Sequence, residues 1–250
     1  MDAGAEAIDV SRLITFFGDH AGLLASKAVS TLGIAAIALA IAIVLALPAG
    51  ILLGHRHSGA LVAINVSNVF RALPSLALIA ISLALVGLSI INVLVALVAL
   101  AVPPILTNSF TAVDGVDPDA VEAARGMGMT ERQVLSIVEL PLSWPLIFAG
   151  IRTAAVYVIA TTPLAAIAGG GGLGDVILNQ PAYKLVGVIA ATIVVVALAF
   201  AVDGLLGLVQ RAVTPRGLRL APELHTIVPV GVDTAAATAA AENPVTVEHV

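Results

Sequence analysis

Residues 121–141 read VEAARGMGMTERQVLSIVELP, a polar island between apolar stretches long enough to cross a bilayer. Charge is expensive inside lipid, so the island belongs in water while its flanks belong in the membrane. That contrast fixes the class: an all-α polytopic membrane protein carrying one structured loop. A loop of this size and helix-forming composition is suited to dock a soluble partner.

Composition agrees with the loop's setting. The chain has 250 residues, 60% hydrophobic and 11% charged, with mean hydropathy +1.10. Soluble domains lie nearer about 45–50% apolar and about 25% charged. The net charge of −5 owes much to acids near the two ends, such as Asp2, Glu6, Glu223, Glu242 and Glu248. It therefore points to no nucleic-acid partner. With no cysteine, disulfides, thiolate metal sites and cysteine nucleophiles are excluded. Asp2, Glu6, Asp9 and Asp19 precede an apolar run too long for a signal peptide, so no cleavable leader is read.

Working outward, about 20 apolar residues span a hydrocarbon core about 30 Å thick. Residues 28–53 satisfy this without a charge. Residues 72–113 are also uncharged but too long for one helix, and Gly87, Ser89 and Asn92 mark the break. Residues 143–168 and 185–209 supply two more spans, five in all, the second starting near Leu61 with Arg71 inside it. The division expected is an external segment at 1–27, a transmembrane domain at 28–220 and a disordered tail at 221–250, rich in small residues. With the island in the cytoplasm, Arg56, Arg125, Arg132, Arg211, Arg216 and Arg219 fall inside, against Arg12, Lys27 and Lys184 outside. The positive-inside rule then places the N-terminus outside and the C-terminus in the cytoplasm. Arg71 and Arg152 are expected to snorkel to headgroups from near that cytoplasmic side.

Within the island, Asp117, Pro118 and Asp119 start a helix: an acidic N-cap, proline in the first turn, and a second acid favourable to the dipole. Gly126 and Gly128 interrupt it. Thr130 with Gln133 forms a capping box for a second short helix, whose apolar side is Val134, Leu135 and Val138 and which Pro141 ends. The product is a helix–turn–helix elbow.

Glu122, Ala123 and Ala124, then Gly128, Val138, Leu140 and Pro141, resemble in identity and spacing the EAA loop of ABC importer permeases, with Val138 where isoleucine is common. A bare Glu-Ala-Ala would say little; the full spacing in the only sizeable cytoplasmic loop says more. The segments RALPSLAL at 71–78, IRTA at 151–154 and LAA at 164–166, followed by residues 169–175, resemble the osmoprotectant permeases in particular. Those proteins carry glycine betaine, choline, carnitine or proline betaine, on a methionine-importer-like fold. Departures are Gly170, where alanine is usual, and Pro163, which should kink the fourth span.

The resemblance implies that the EAA residues seat in a cytoplasmic ATPase. That partner holds the ATP and Mg, and this chain binds no cofactor and catalyses no reaction. It implies a second permease subunit, a separate external solute-binding protein, alternating access, and a home in the bacterial cell membrane. Pro74, Phe110 and Tyr157 are candidates for the translocation path, with Phe70 and Trp144 as further aromatic candidates. Gly171, Gly172 and Gly174 are candidates for an external gate. A methionine-type amino-acid permease shares the fold and loop and stays an alternative. An ion-coupled carrier working alone would bury ionisable groups near the midplane, and the uncharged run 72–113 argues against it.

Two motifs are set aside. Residues 169–174, GGGGLG, satisfy the dinucleotide pattern literally but follow a membrane helix rather than a strand; they read as a tight reversal into a short helix at 175–179. His55 and His57 stand one residue apart, a spacing unsuited to metal ligation on a helix face, and read as a solvated turn.

Overall fold

A computed structural model of the chain describes residues 10–57, Asn65, Val69 and residues 74–214. The expected start of the second span near Leu61, Phe70, Arg71 and the tail at 221–250 lie outside the described residues.

The architecture is helical throughout these residues. Helix α1 runs Val10–His55, α2 Ser75–Val86, α3 Ile90–Asp114 and α4 Pro118–Gly126. Helix α5, Glu131–Gln133, passes through a π turn, Val134–Glu139, into α6, Leu140–Thr161. A 3₁₀ segment, Thr162–Ala168, then leads to the short α7, Gly174–Leu178, and the long α8, Gln180–Val213. Among the described residues, four stretches are long and apolar enough to span a bilayer: Val10–His55, Ile90–Asp114, Glu131–Ala168 and Gln180–Val213. Helix α2, at 12 residues, is shorter and apolar.

The core is built on α1. Ala38, Ala42, Ala46, Gly50 and Gly54 recur every fourth residue and are all buried, so they line one helical face. Small residues at this period let two membrane helices approach backbone to backbone. A Cβ at Gly50 would stand 2.7 Å from Ser109 Cβ and 2.8 Å from the Leu106 carbonyl, and one at Gly54 2.8 Å from the Phe110 carbonyl. Helix α6 meets the same α3 from another side, where a Cβ at Gly150 would lie 2.6 Å from Asn108 Cβ. Overpacking costs about 1–3 kcal/mol where side chains can shift, and here a backbone carbonyl must move too. Gly50→Leu is expected to lower the thermal midpoint of the purified protein by several degrees; an unchanged midpoint would refute the close α1–α3 approach.

The break in residues 72–113 falls where expected. Gly87, with φ 79°, ends α2, and the Ser89 side chain caps α3 by accepting from the Ile91 and Asn92 backbone N–H groups. Asn92, fully buried, donates to the Gly87 carbonyl at 3.2 Å and accepts from Ser82. This clasp satisfies polar groups that would be costly in an apolar interior.

The first helix begins at Val10, eighteen residues before the expected span. It bends at His20 (φ −116°, ψ 17°), and Phe16, Phe17 and Leu24 pack with Leu173, Val176 and Ala191 in a second apolar cluster. The fourth span changes form at Pro163, as its missing N–H requires: the α-helix becomes 3₁₀ at Thr162. The last helix kinks at Lys184 (φ 54°), so its straight part begins at Leu185.

Candidate functional site

The elbow forms as its caps dictate. The Asp117 carboxylate accepts from the Asp119 backbone N–H at 3.0 Å, and Pro118 occupies the first turn of α4. Gln133 Oε1 accepts from the Thr130 backbone N–H at 2.8 Å and from its hydroxyl at 3.0 Å, starting α5. Between them Gly128 adopts φ 84°, the left-handed region that favours glycine. Val116, Val121, Ala124 and Val134 make a small core of the elbow's own, with Met129 and Val138 against it.

The EAA residues divide by face. Glu122, Ala123 and Gly128 are exposed, whereas Ala124 is buried in the elbow's core. Leu140 and Pro141 are half-buried. Arg125 and Glu131 form a two-bond fork at 3.0 and 3.1 Å that closes the elbow across its turn. The Glu131 carboxylate thereby holds the Arg125 guanidinium still more firmly in its charged form.

Pro141 does not end the second helix. Helix α5, the π turn and α6 run on without interruption, and Pro141 sits in the first turn of α6, where a missing N–H is tolerated because the preceding turn is wound wider. The elbow is therefore one piece with the span behind it.

His55 is not a solvated residue. Its side chain is 15% exposed, and Nδ1 lies 2.7 Å from Glu139 Oε2 while Nε2 lies 3.6 Å from Glu131 Oε2. Glu139, on the π turn, is 1% exposed, and its Oε1 has no hydrogen-bond partner among the described residues. His57, exposed, bonds Asp114 at 2.9 Å. The end of α1 is thus tied to the base of the elbow and to the end of α3.

Arg152 is paired with a neighbouring helix. Its Nε and Nη2 donate to both oxygens of Asp203 on α8 at 2.9 and 2.7 Å, and Nη1 donates to Gln210 at 3.0 Å. Gln210 in turn donates to the Pro145 carbonyl at 2.8 Å. Gly207 leaves room for the guanidinium, since a Cβ there would lie 3.3 Å from Arg152 Cζ. Asp203 escaped the sequence reading. The signal available was a single acid inside an otherwise apolar run, residues 185–209.

Of the path candidates, Tyr157 is 48% exposed and shares a cavity with Arg152 and Asp203. Phe110, 4% exposed, is buried inside the subunit at the α1 contact. Pro74 caps α2 at an exposed position, and Trp144 tilts against Phe148 at 5.7 Å between ring centres.

The glycine run is pinned to α1 at the opposite end from the elbow. Gly169, Gly171 and Gly172 all have φ between 72° and 83°. Thr31 Oγ1 accepts from the Leu173 N–H at 3.0 Å, and Lys27 pairs with Asp175 at 2.5 Å. Gly172 and Gly174 sit where no larger residue fits: a Cβ would stand 2.7 Å from Thr31 Oγ1 and 1.9 Å from the Pro163 carbonyl, respectively. Gly170 also lies at a tight contact, 3.0 Å from Ala165 Cβ and Val93 Cγ2 for an added Cβ. Among the described residues no group of three His, Asp or Glu side chains is placed to hold a metal ion.

Comparison with known proteins bears on this arrangement. The binding-protein-dependent transport system inner membrane component family matches residues 42–215. The glycine betaine/carnitine/choline transport system permease protein OpuCB of Bacillus subtilis is 38% identical over 215 residues, covering 84% of this chain and 97% of that protein. The carnitine transport permease protein OpuCB of Listeria monocytogenes is 39% identical over 84% of this chain and 97% of its own length. The osmoprotectant import permease protein OsmW of Salmonella typhimurium is 34% identical over 82% and 99%. An inward-facing structure of the MetNI methionine ABC transporter superposes with TM-score 0.67 at 22% identity, over 79% of this chain and 99% of that one; at that identity the likeness concerns the fold alone. The chain belongs to the family of inner-membrane components of binding-protein-dependent transport systems.

Proposed function

We propose that this chain is the membrane-spanning subunit of an ABC importer for osmoprotectants such as glycine betaine, choline, carnitine or proline betaine. The observation that carries the reading is the elbow. Glu122, Ala123 and Gly128 are exposed on α4 and the turn after it, and the Arg125–Glu131 fork and the shared core of Val121, Ala124 and Val134 tie that part to α5, the helix that continues into a span, so whatever seats there moves the span. A cytoplasmic ATPase is the partner this face fits, with ATP and Mg held there and no chemistry on this chain. The relatives named as osmoprotectant permeases supply the solute class. Five helices leave little room to enclose a zwitterion, so the path runs between two permease subunits. An external solute-binding protein delivers the solute, the N-terminus faces outward and the C-terminus faces the cytoplasm of a bacterial cell. Closure of the ATPases and release by the binding protein favour different states of one two-state bundle.

The test is uptake of labelled glycine betaine, choline and methionine into transport-deficient cells, with and without the matching ATPase and binding protein. Betaine or choline uptake that needs every component is expected. Methionine uptake would retain the architecture and overturn the solute, and uptake by this chain alone would overturn the mechanism.

A further inference from the structure

Arg152 and Asp203 lie well inside α6 and α8, where ionisable side chains are costly. Their bidentate pairing and the Gln210 bond engage three of the guanidinium's five N–H donors. The pair is about one-third exposed on both sides, so it borders open space rather than a sealed core.

That space has two parts. One cavity of about 340 Å³ is lined by Ala149, Arg152, Thr153, Val156, Tyr157 and Asp203. A second of equal volume shares Val156 and Asp203 with it and extends over Ala199, Val195 and Phe200. Asp203 therefore stands at the boundary of a chamber of mixed lining and a nearly wholly apolar one. Each falls in the size range of small-molecule sites, about 300–1,000 Å³.

From this juxtaposition we propose that Arg152, Asp203 and Tyr157 form a transit site for a small zwitterion with a carboxylate at one end and a quaternary ammonium at the other. The proposal rests on the osmoprotectant reading and adds the residues that would hold the solute. Guanidinium recognises carboxylate through parallel N–H donors, and a methylated cation is attracted both by a carboxylate and by an aromatic face. Arg152 meets the first need; Asp203 with the Tyr157 ring, exposed at 48%, meets the second. The apolar chamber beside Asp203, with Phe200 on its wall, accommodates the methyl groups. The empty site is held neutral by its own ion pair. A zwitterion takes over both charges, the solute carboxylate replacing Asp203 on the guanidinium and the ammonium replacing Arg152 beside Asp203. Net charge in the membrane is zero before and after, which suits a step that must be weak and reversible.

The experiment measures initial uptake of glycine betaine and of choline by the complete transporter across a range of external concentrations. Because the external binding protein is unchanged, half-saturation is expected to hold while the maximal rate falls. The double variant Arg152→Gln, Asp203→Asn keeps a hydrogen-bonded pair without charges and is expected to lose at least ten-fold in maximal betaine rate, and less for choline, which has no carboxylate. Tyr157→Leu is expected to slow both solutes and Tyr157→Phe to slow neither. Wild-type maximal rates in the double variant would overturn the site while leaving the osmoprotectant reading intact. Should the double variant not accumulate, wild-type rates in Tyr157→Leu, at an exposed position, overturn it equally. Uptake of neither solute by the wild-type transporter would remove the solute reading and the site with it.

Discussion

Valine at Gly128 is expected to cut uptake about ten-fold or more at unchanged expression and membrane insertion. The reason is conformational. Gly128 sits at φ 84° with nothing within 4 Å of where a Cβ would be, so the subunit has space for a side chain but the backbone does not favour one. A left-handed conformation costs an L-residue about 1–2 kcal/mol, and more when the side chain is β-branched. Since about 1.4 kcal/mol is a factor of ten, the turn between α4 and α5 would be largely displaced and the Arg125–Glu131 fork misaligned. Aspartate tolerates the left-handed region better but adds a charge at the exposed turn of the elbow, so Gly128→Asp should also abolish transport, through docking rather than folding. Asparagine shares the tolerance without the charge and should retain more uptake than either. Normal uptake by well-expressed Gly128→Val and Gly128→Asp proteins would remove the coupling role of the elbow.

His55→Ala should destabilise the protein by about 1–3 kcal/mol, the cost of leaving a buried polar group without its partner. Glu139 is 1% exposed and already has one oxygen without a partner; removing His55 takes away the partner of the other. The effect should persist at high salt, because a buried contact is screened little. The double variant His55→Leu, Glu139→Leu should recover most of the loss, since an apolar pair can replace a buried polar one. Thermal midpoints of the purified variants decide the matter: a His55→Ala protein as stable as wild type would show that the contact contributes nothing.

What could be read from the residues alone follows from how local each signal is. Gly87, Ser89 and Asn92 announce a break because turn and cap chemistry acts within a few positions, and Asp117 and the Thr130–Gln133 pair start their helices for the same reason. The beginning of α1 at Val10 was hidden because hydropathy marks where lipid begins, not where helix begins. Arg12 and Asp19 lower the apolarity of that stretch, which bends at His20 yet stays helical on either side, and Leu173 and Val176 cover its apolar face from about 150 residues away. Pro141 misleads because proline serves both as a helix stop and as a first-turn residue, and nothing in its neighbours distinguishes the two. The pairs His55–Glu139 and Arg152–Asp203, 84 and 51 residues apart, depend on which helices become neighbours, a property no spacing encodes. The elbow was legible; the groups that tie it and the spans together were not.

The continuity of α5, the π turn and α6 makes the stretch from Glu131 to Thr161 a lever with its fulcrum at Gly150, where its backbone rests against Asn108. At 1.5 Å per residue the elbow arm is about 28 Å and the far arm about 16 Å, so a push on the elbow that rocked the helix about this contact would return as a smaller, opposite swing at its far end. Arg152 stands two residues from that contact, where a rocking of the helix about it would displace a residue least. A rod balanced in this way opens one side as it shuts the other while whatever is held at its middle stays where it is.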